Sequence, residues 1–328
     1  MINTWLTETF KIKYPIIMAP MFLASSKEML IEAAKAGIMG CIPAANWRTP
    51  ELFEEGIQEL KKECPGPFGI NLIVNKSNIY LAKQIEICEK YVPDFIITSL
   101  GSPEEVIKKC RPQGTKIFCD VVDVTYAQKV ESLGADAIIA VNSGAGGHAG
   151  PVPTSILVPM LQKHCKIPVI SAGGVGTGSG LLSSLSLGAE GVSIGSPFIA
   201  TDESPVSEEY KDAVVKYGAK DIVMTNKISG SACTVINTPY VQKIGVNQNF
   251  IEAFLNSNRQ FKKYAKMLTY YKGMKAVEKA AFAATYKTVW VAGPSIEFIT
   301  KKEKVSDVIS RLISEYEEAL ETFKNKLG

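Results

Sequence analysis

Short apolar runs alternate with segments of helical periodicity through the first two hundred residues of this chain. The runs are short and β-rich or fully apolar, which is typical of parallel strands that are buried on both faces. The predicted strands are residues 15–19, 38–42, 68–72, 95–99, 116–120, 137–141, 168–172 and 191–195. The predicted helices between them are residues 27–36, 50–62, 79–91, 103–110, 125–133 and 178–187.

Eight strands with intervening helices predict an α/β fold, the (β/α)8 TIM barrel, for residues 1–200. An open, doubly wound sheet is the competing arrangement, but no G-x-G-x-x-G follows the first strand. The motif Leu-Gly-Ala-Asp at 133–136 recurs as Leu-Gly-Ala-Glu at 187–190, so a glycine ends a helix before each of two strands. Residues 201–328 are mostly helical in pattern, with an irregular stretch at 229–245 and an amphipathic helix at 305–323, and predict a cap on the barrel.

Composition excludes several classes of protein. A net charge of +3 in 328 residues indicates no nucleic-acid partner. No run reaches the roughly 18 apolar residues of a membrane span, and the N-terminus lacks the pattern of a secretory signal. Seven cysteines without a C-x-x-C pair favour reduced thiols in a cytoplasmic protein, and two histidines without a ligand cluster predict no metal site.

A glycine-rich loop carries one of the two histidines. The run Gly-Ala-Gly-Gly-His at 144–148 follows the predicted strand 137–141. Glycines let a backbone approach a ligand closely, and an imidazole on such a loop can act as an acid, a base or an electrostatic anchor. We therefore predict that His148 is catalytic, although a loop histidine bonded to a neighbouring carbonyl is the structural alternative. The second histidine, His164, precedes the seventh strand and is expected at the surface, on the opposite end of the barrel.

Two further strand ends carry paired small residues. Gly173 and Gly174 follow the seventh predicted strand, and Gly195 and Ser196 lie at the end of the eighth. In TIM barrels the loops after strands seven and eight commonly bind phosphate through backbone amides. We expect the amides of Gly173 and Gly174 to be uncovered and Ser196 to add a hydroxyl; the alternative is that these are turn residues that bind nothing.

The first and third strands end unusually as well. Ala19, Pro20 and Met21 form a rigid exit from the first strand that could lie along a flat ring system, or an ordinary strand exit. Asn71 is a polar residue in an otherwise apolar buried strand, and a buried amide needs partners. Asn71 therefore either ties down a loop or, as we favour, binds a ligand.

Other candidates have more ordinary interpretations. Asp120 and Asp123 flank the end of the fifth strand and could pair, but capping of the next helix by Asp123 is the favoured interpretation. Cys41 and Cys119 are expected in the core.

A basic stretch indicates a solvated helix face or, alternatively, a binding site for an acidic partner such as an acyl carrier protein. It comprises Arg259, Lys262, Lys263, Lys266, Lys272, Lys275 and Lys279.

These motifs, taken in order, resemble the nitronate monooxygenase family, formerly called 2-nitropropane dioxygenases. The family consists of FMN-dependent barrels and also includes FMN-type enoyl-acyl carrier protein reductases and some NAD(P)H:quinone reductases. The likeness extends over residues 12–205, with a weaker echo at 291–295. It implies that His148 is the active-site histidine. It also implies FMN or phosphate contacts from Ala19, Pro20, Met21, Asn71, Gly146, Gly147, Gly173, Gly174, Gly195 and Ser196.

The chain departs from the family pattern at four positions. Gly144 stands where the family usually has glutamate, and Val141 where it has an acidic or amide residue. Ser196 and Pro197 stand where the family usually has threonine and arginine. We still expect flavin binding with these changes, but they weaken assignment of the chain to one activity within the family.

Three functions are considered for a chain with this resemblance. The first is oxidation of an alkyl nitronate or a nitroalkane with O2 to a carbonyl compound and nitrite, with FMN carrying the redox chemistry. The second is an FMN-dependent NAD(P)H reductase of an enoyl thioester, with an acyl carrier protein as partner, or of a quinone. The third is a flavin-binding protein without turnover. The oligomeric state is left open, with a homodimer among the options.

Overall fold

The computed structural model describes residues 2–226, 232–246 and 289–327. Eight parallel strands close into a barrel whose neighbours follow the chain order. The barrel strands are β1 Ile16–Met18, β2 Met39–Pro43, β3 Phe68–Ile73, β4 Phe95–Ser99, β5 Lys116–Val121, β6 Ala137–Val141, β8 Val169–Ala172 and β9 Gly191–Ile194. The TIM barrel is confirmed, and each of the eight predicted strands overlaps an observed one.

Helices alternate with these strands around the outside of the barrel. They are α2 Lys27–Lys35, α3 Pro50–Glu63, α4 Leu81–Tyr91, α5 Glu104–Cys110, α6 Val124–Leu133, α7 Thr154–His164 and α8 Gly178–Ser186. Polar side chains at Ser26, Thr49, Asp123 and Thr177 accept hydrogen bonds from the first turns of α2, α3, α6 and α8, which explains where these helices begin. Helix α7 has no counterpart among the predicted helices.

Glycines end two helices as the repeated motif predicts. Gly134 is the C-cap of α6 with a φ of 97°, and Gly188 follows α8 with a φ of 97°. Both angles lie in the left-handed region that glycine adopts without the steric cost of a Cβ.

The barrel interior is filled and closed at its N-terminal end. Helix α1, Trp5–Phe10, packs its aromatic rings onto Phe95 and Phe118, whose own ring centroids are 5.2 Å apart. Gly69 on β3 makes room for this stack, since a Cβ there would lie 2.3 Å from the Phe95 ring. The carboxyl ends of the strands are therefore the end of the barrel that remains for a site.

A second sheet lies beyond the barrel. It consists of β7 Gly147–His148, β10 Ile222–Thr225 and β11 Cys233–Ile236 in the antiparallel order β10–β11–β7. The sequence pattern predicted helix or irregular structure for both later strands. That prediction was wrong for β10 and β11 because strands of four residues are too short to show a clear period of two.

Within the described residues, four α-helices follow the last barrel strand. They are α9 Ser196–Ile199, α10 Glu208–Lys216, α11 Pro239–Ile244 and α12 Val305–Leu327. Helix α12 packs on α8 and α2, and its apolar face joins the core between the strands and the outer helices. The outer ring of the barrel thus uses residues from both sides of the predicted boundary at 200, and the division into domains 1–200 and 201–328 stays a prediction.

No helix in the described ranges is both long and apolar enough to span a lipid bilayer.

Candidate active site

A cavity of about 600 Å³ lies at the carboxyl ends of the barrel strands. Loops after β1, β3, β6, β8 and β9 contribute to its wall, as the barrel topology requires. The structure brings together every site residue predicted from the sequence. The cavity is lined by His148, Ala19, Pro20, Met21, Asn71, Gly146, Gly147, Gly173, Gly174, Gly195 and Ser196.

His148 is half-buried at the wall of this cavity, on strand β7. Loss of water around the ring lowers the pKa of His148 below its ordinary value of 6.5, because burial disfavours the charged imidazolium. At neutral pH the ring is therefore uncharged and carries a lone pair that can accept a proton. His148 can act as a general base in this position.

The loop that carries His148 is held from two sides. Asn142 donates from Nδ2 to the Gly173 carbonyl oxygen at 3.0 Å and accepts from the Gly144 amide at 2.7 Å. On the other side, Thr234 of β11 donates its hydroxyl hydrogen to the Ala145 carbonyl oxygen at 2.9 Å. These bonds fix the glycine loop although it carries almost no side chains of its own.

The glycines after β8 form a cradle that a side chain would fill. Gly173 has a φ of 112°, and a Cβ on it would lie 2.4 Å from the Ala145 nitrogen. In the described part of the chain, no backbone hydrogen bond uses the amides of Gly173, Gly195 or Ser196. All three residues line the cavity, so their N–H groups together form an anion cradle that can bind an anionic oxygen.

The expectation of an uncovered amide is wrong for Gly174. Its N–H donates to the Gly144 carbonyl oxygen at 2.8 Å, because the loops after β6 and β8 close on each other. Ser196 is partly engaged as well, since its Oγ accepts a hydrogen bond from the Gly293 amide at 3.0 Å. The hydroxyl hydrogen of Ser196 can still be donated to a ligand.

The exit of the first strand is a rigid turn at the cavity wall. The Met21 amide donates to Ser25 Oγ at 2.9 Å, and Asn46 donates from Nδ2 to the Ser25 carbonyl oxygen at 2.9 Å. Leu23 has a φ of 61°, which is unusual for a residue with a side chain. The loop therefore has one well-defined shape against the cavity.

Asn71 ties strands together and also faces the cavity. Its Nδ2 donates to the Ile97 carbonyl oxygen at 3.0 Å and to Ser99 Oγ at 2.8 Å, both on β4. Both roles considered from the sequence are thus compatible with its position.

Asp120 is a cavity residue whose role the sequence analysis missed. Its carboxylate accepts a hydrogen bond from the Ser99 hydroxyl, and burial raises its pKa from 3.8 to about 6. Asp123 accepts from the Tyr126 amide at 2.8 Å, which confirms that it caps α6. The only sequence signal for Asp120 was a carboxylate at the carboxyl end of a buried strand.

The structural positions predicted for three other residues are confirmed. Cys41 and Cys119 are buried in the core, and burial raises the pKa of both thiols. His164 is exposed at the end of α7. The basic stretch from Arg259 to Lys279 lies outside the described residues.

The family model described as nitronate monooxygenase matches residues 3–82 and 77–315. The chain belongs to the nitronate monooxygenase family. A probable nitronate monooxygenase from Staphylococcus saprophyticus is 30% identical in an alignment that covers 74% of this chain and 81% of that protein. A Rhodococcus jostii enzyme named (3aS,4S,5R,7aS)-5-hydroxy-7a-methyl-1-oxo-octahydro-1H-indene-4-carboxyl-CoA dehydrogenase is 30% identical over 74% of this chain and 68% of its own length.

Solved structures of similar fold extend over almost the whole chain. FabK from Thermotoga maritima superposes with a TM-score of 0.86 and 27% identity over 99% of this chain and 100% of its own. A nitroalkane oxidase from Streptomyces ansochromogenes has a TM-score of 0.81 at 21% identity, over 97% and 99% of the two chains, and supports the fold alone.

Members of the nitronate monooxygenase family are oxidoreductases and are in general flavin-dependent. This confirms the prediction of an enzyme, and the hypothesis of a flavin-binding protein without turnover is not carried further.

Proposed function

We propose that this nitronate monooxygenase family member binds FMN and oxidises alkyl nitronates or nitroalkanes with O2 to carbonyl compounds and nitrite. The observation that carries the proposal is the half-buried imidazole of His148 at the wall of a cavity that the backbone amides of Gly173, Gly195 and Ser196 also line. A cavity of about 600 Å³ lies within the range of sites that bind cofactors and small molecules.

The residues present fit FMN on grounds independent of the family. The amides of Gly173, Gly195 and Ser196 would hold its phosphate, since they have no backbone partner in the described chain. The absence of a side chain at Gly173 leaves the space that such a group needs. Ala19, Pro20 and Met21 would support the flat ring, and the Asn71 amide would contact its polar edge. Gly146 and Gly147 would let the His148 loop approach the ring closely.

Bound FMN supplies the acceptor for substrate electrons, which pass on to oxygen. The protein contributes the proton chemistry. With a neutral nitroalkane, His148 removes the proton from the carbon that carries the nitro group, and its lowered pKa keeps the ring ready for this step. With a preformed nitronate no proton is removed, and the N–H of the uncharged His148 ring would donate a hydrogen bond to the anion.

A second candidate is an NAD(P)H-dependent reductase of an enoyl thioester or a quinone. Two similarities favour it: the match to FabK over the whole chain, and the relative that is named as a carboxyl-CoA dehydrogenase. O2 as the acceptor, an acyl carrier protein as partner, a homodimer and a cytoplasmic location all stay predictions.

Anaerobic reduction of the purified flavoprotein separates the two candidates. We would add NADH, then NADPH, then a small alkyl nitronate, and record the flavin absorption after each. Reduction by the nitronate alone is the expected result. Rapid bleaching by either nicotinamide would overturn the first candidate and direct the search to enoyl thioesters and quinones.

A further inference from the structure

Three polar side chains form a continuous hydrogen-bonded row at the carboxyl ends of β3, β4 and β5. Asn71 donates from Nδ2 to Ser99 Oγ at 2.8 Å, and Ser99 donates its hydroxyl hydrogen to Oδ2 of Asp120. Both end members of the row, Asn71 and Asp120, line the cavity. Ser99, between them, lines it as well.

The backbone fixes the direction of every hydrogen bond in this row. The Ile97 carbonyl oxygen can only accept, and it lies 3.0 Å from Nδ2 of Asn71, so the amide nitrogen must face β4. The second hydrogen of Nδ2 then goes to Ser99 Oγ. The hydrogen of the Ser99 hydroxyl is consequently directed at Asp120, and Oδ2 of Asp120 must accept it.

These hydrogen-bond directions leave one oxygen of the Asp120 carboxyl group to take up a proton. Oδ2 is occupied as an acceptor, whereas no hydrogen bond among the described residues uses Oδ1. A proton taken up by the carboxyl group must therefore sit on Oδ1. Asn71 likewise keeps its Oδ1 as an acceptor that no described residue engages.

The surroundings of Asp120 favour uptake of that proton. Asp120 has no ion pair within the described residues, and burial raises its pKa to about 6 against the opposing effect of the Ser99 hydrogen bond. The titratable groups around it are Cys41 on β2, Cys119 on β5 and Tyr126 on α6. Burial raises the pKa of all three, so none of them titrates near pH 6.

We propose that Asp120 exchanges a proton at Oδ1 and presents it, in the protonated state, to the flavin ring bound in the cavity. This inference rests on the proposed function, because it requires a flavin at the site. The pyrimidine edge of a flavin carries one N–H donor beside carbonyl acceptors. Asn71 Oδ1 supplies a matching acceptor and protonated Asp120 a matching donor. Ionised Asp120 would instead place an unpaired negative charge against carbonyl oxygens.

The visible absorption spectrum of the bound flavin tests this, because it responds to hydrogen bonds at the ring and not to ionisation of the phosphate. We would titrate the purified flavoprotein from pH 4.5 to 8 and compare it with four variants. The wild type is expected to show one transition with a midpoint near 6. Asp120→Asn should abolish it, because an amide cannot lose the proton. Ser99→Ala should shift the midpoint to higher pH, because the hydrogen bond from Ser99 stabilises the carboxylate.

The two remaining variants exclude other groups. Asp123→Asn removes the neighbouring carboxylate, which caps α6, and should leave the transition in place. His148→Asn removes the imidazole at the cavity wall and should also leave the transition in place. A transition that survives in Asp120→Asn, or a spectrum that does not change with pH, overturns the inference. A purified protein that binds no flavin at any pH overturns the proposed function instead.

Discussion

His148 pairs with Cys233 across an antiparallel strand pair, so the predicted base is held by a strand 85 positions away in the chain. The neighbouring pair, Gly147 with Thr234, adds a side-chain hydrogen bond from Thr234 Oγ1 to the Ala145 carbonyl oxygen at 2.9 Å. The barrel alone does not set the position of the imidazole. It is set jointly by the loop after β6 and by β11, which belongs to the chain beyond the last barrel strand.

Replacement of His148 by asparagine should separate the two substrate forms. Removal of a general base typically lowers the rate by about 10²- to 10⁴-fold, so kcat/KM for a neutral nitroalkane should fall within that range. The preformed nitronate needs no deprotonation and should lose much less. Steady-state oxygen consumption with each form measures both values. Full activity of the variant on the neutral nitroalkane would rule out the base role.

The activity on a neutral nitroalkane should fall as the pH is lowered. His148 acts as a base only when unprotonated, and burial lowers its pKa below 6.5. The kcat/KM profile should therefore be level at alkaline pH and fall as the pH drops through the lowered pKa. The Asp120→Asn variant should keep this limb of the profile. A profile that instead falls with an apparent pKa above 6.5 would contradict an uncharged resting imidazole.

Alanine at Gly173 should abolish the anion cradle. A Cβ there would lie 2.4 Å from the Ala145 nitrogen, and the φ of 112° is unfavourable for any residue with a side chain. Left-handed backbone costs such a residue roughly 1–2 kcal/mol, and the overlap adds to that cost. We expect a lower midpoint of thermal unfolding and loss of most bound flavin.

Gly114 provides the matched control for this substitution. Its φ is 104°, but nothing lies within 4 Å of an added Cβ. Gly114→Ala should therefore carry the backbone cost alone and keep its flavin. Equal flavin loss in both variants would show that strain, rather than the shape of the cradle, explains the Gly173 result.

Much of the barrel could be read from the sequence, for a physical reason. Strands buried on both faces appear as unbroken apolar runs, and parallel barrel strands are of this kind. The predicted strand at 137–141 coincides with β6, and that at 191–195 differs from β9 by one residue. The glycine-bearing strand ends could be placed at one end of the barrel because topology brings them there.

The features that sequence reasoning missed depend on contacts between distant segments. Strand β7 has only two residues and exists because β11 pairs with it. The Gly174 amide is used because the Gly144 carbonyl lies opposite, and no local pattern predicts that. Asp120 is visible as a carboxylate at a strand end, but its burial and the direction of its bond to Ser99 follow from three neighbouring strands.

Alanine at Asn142 should weaken both loops of the site at once. Asn142 is 2% exposed and bonds to the Gly144 amide, the Gly173 carbonyl oxygen and Thr154 Oγ1. Loss of its side chain leaves buried backbone groups unsatisfied, which costs about 1–3 kcal/mol for each such group. Urea unfolding should show a lower free energy of unfolding. Titration with flavin should show a higher Kd, because the His148 loop and the anion cradle lose the side chain that anchors both.

Asn78 offers a comparison that loses similar bonds away from the site. Its side chain donates to the Ile73 carbonyl oxygen at 2.9 Å and to Gln84 Oε1 at 2.8 Å, and it accepts from the Tyr80 amide at 3.1 Å. Asn78 does not line the cavity. Asn78→Ala should therefore reduce the free energy of unfolding while leaving the flavin Kd unchanged. If flavin affinity falls equally in both variants, it follows global stability, and Asn142 has no special role as the anchor of the site.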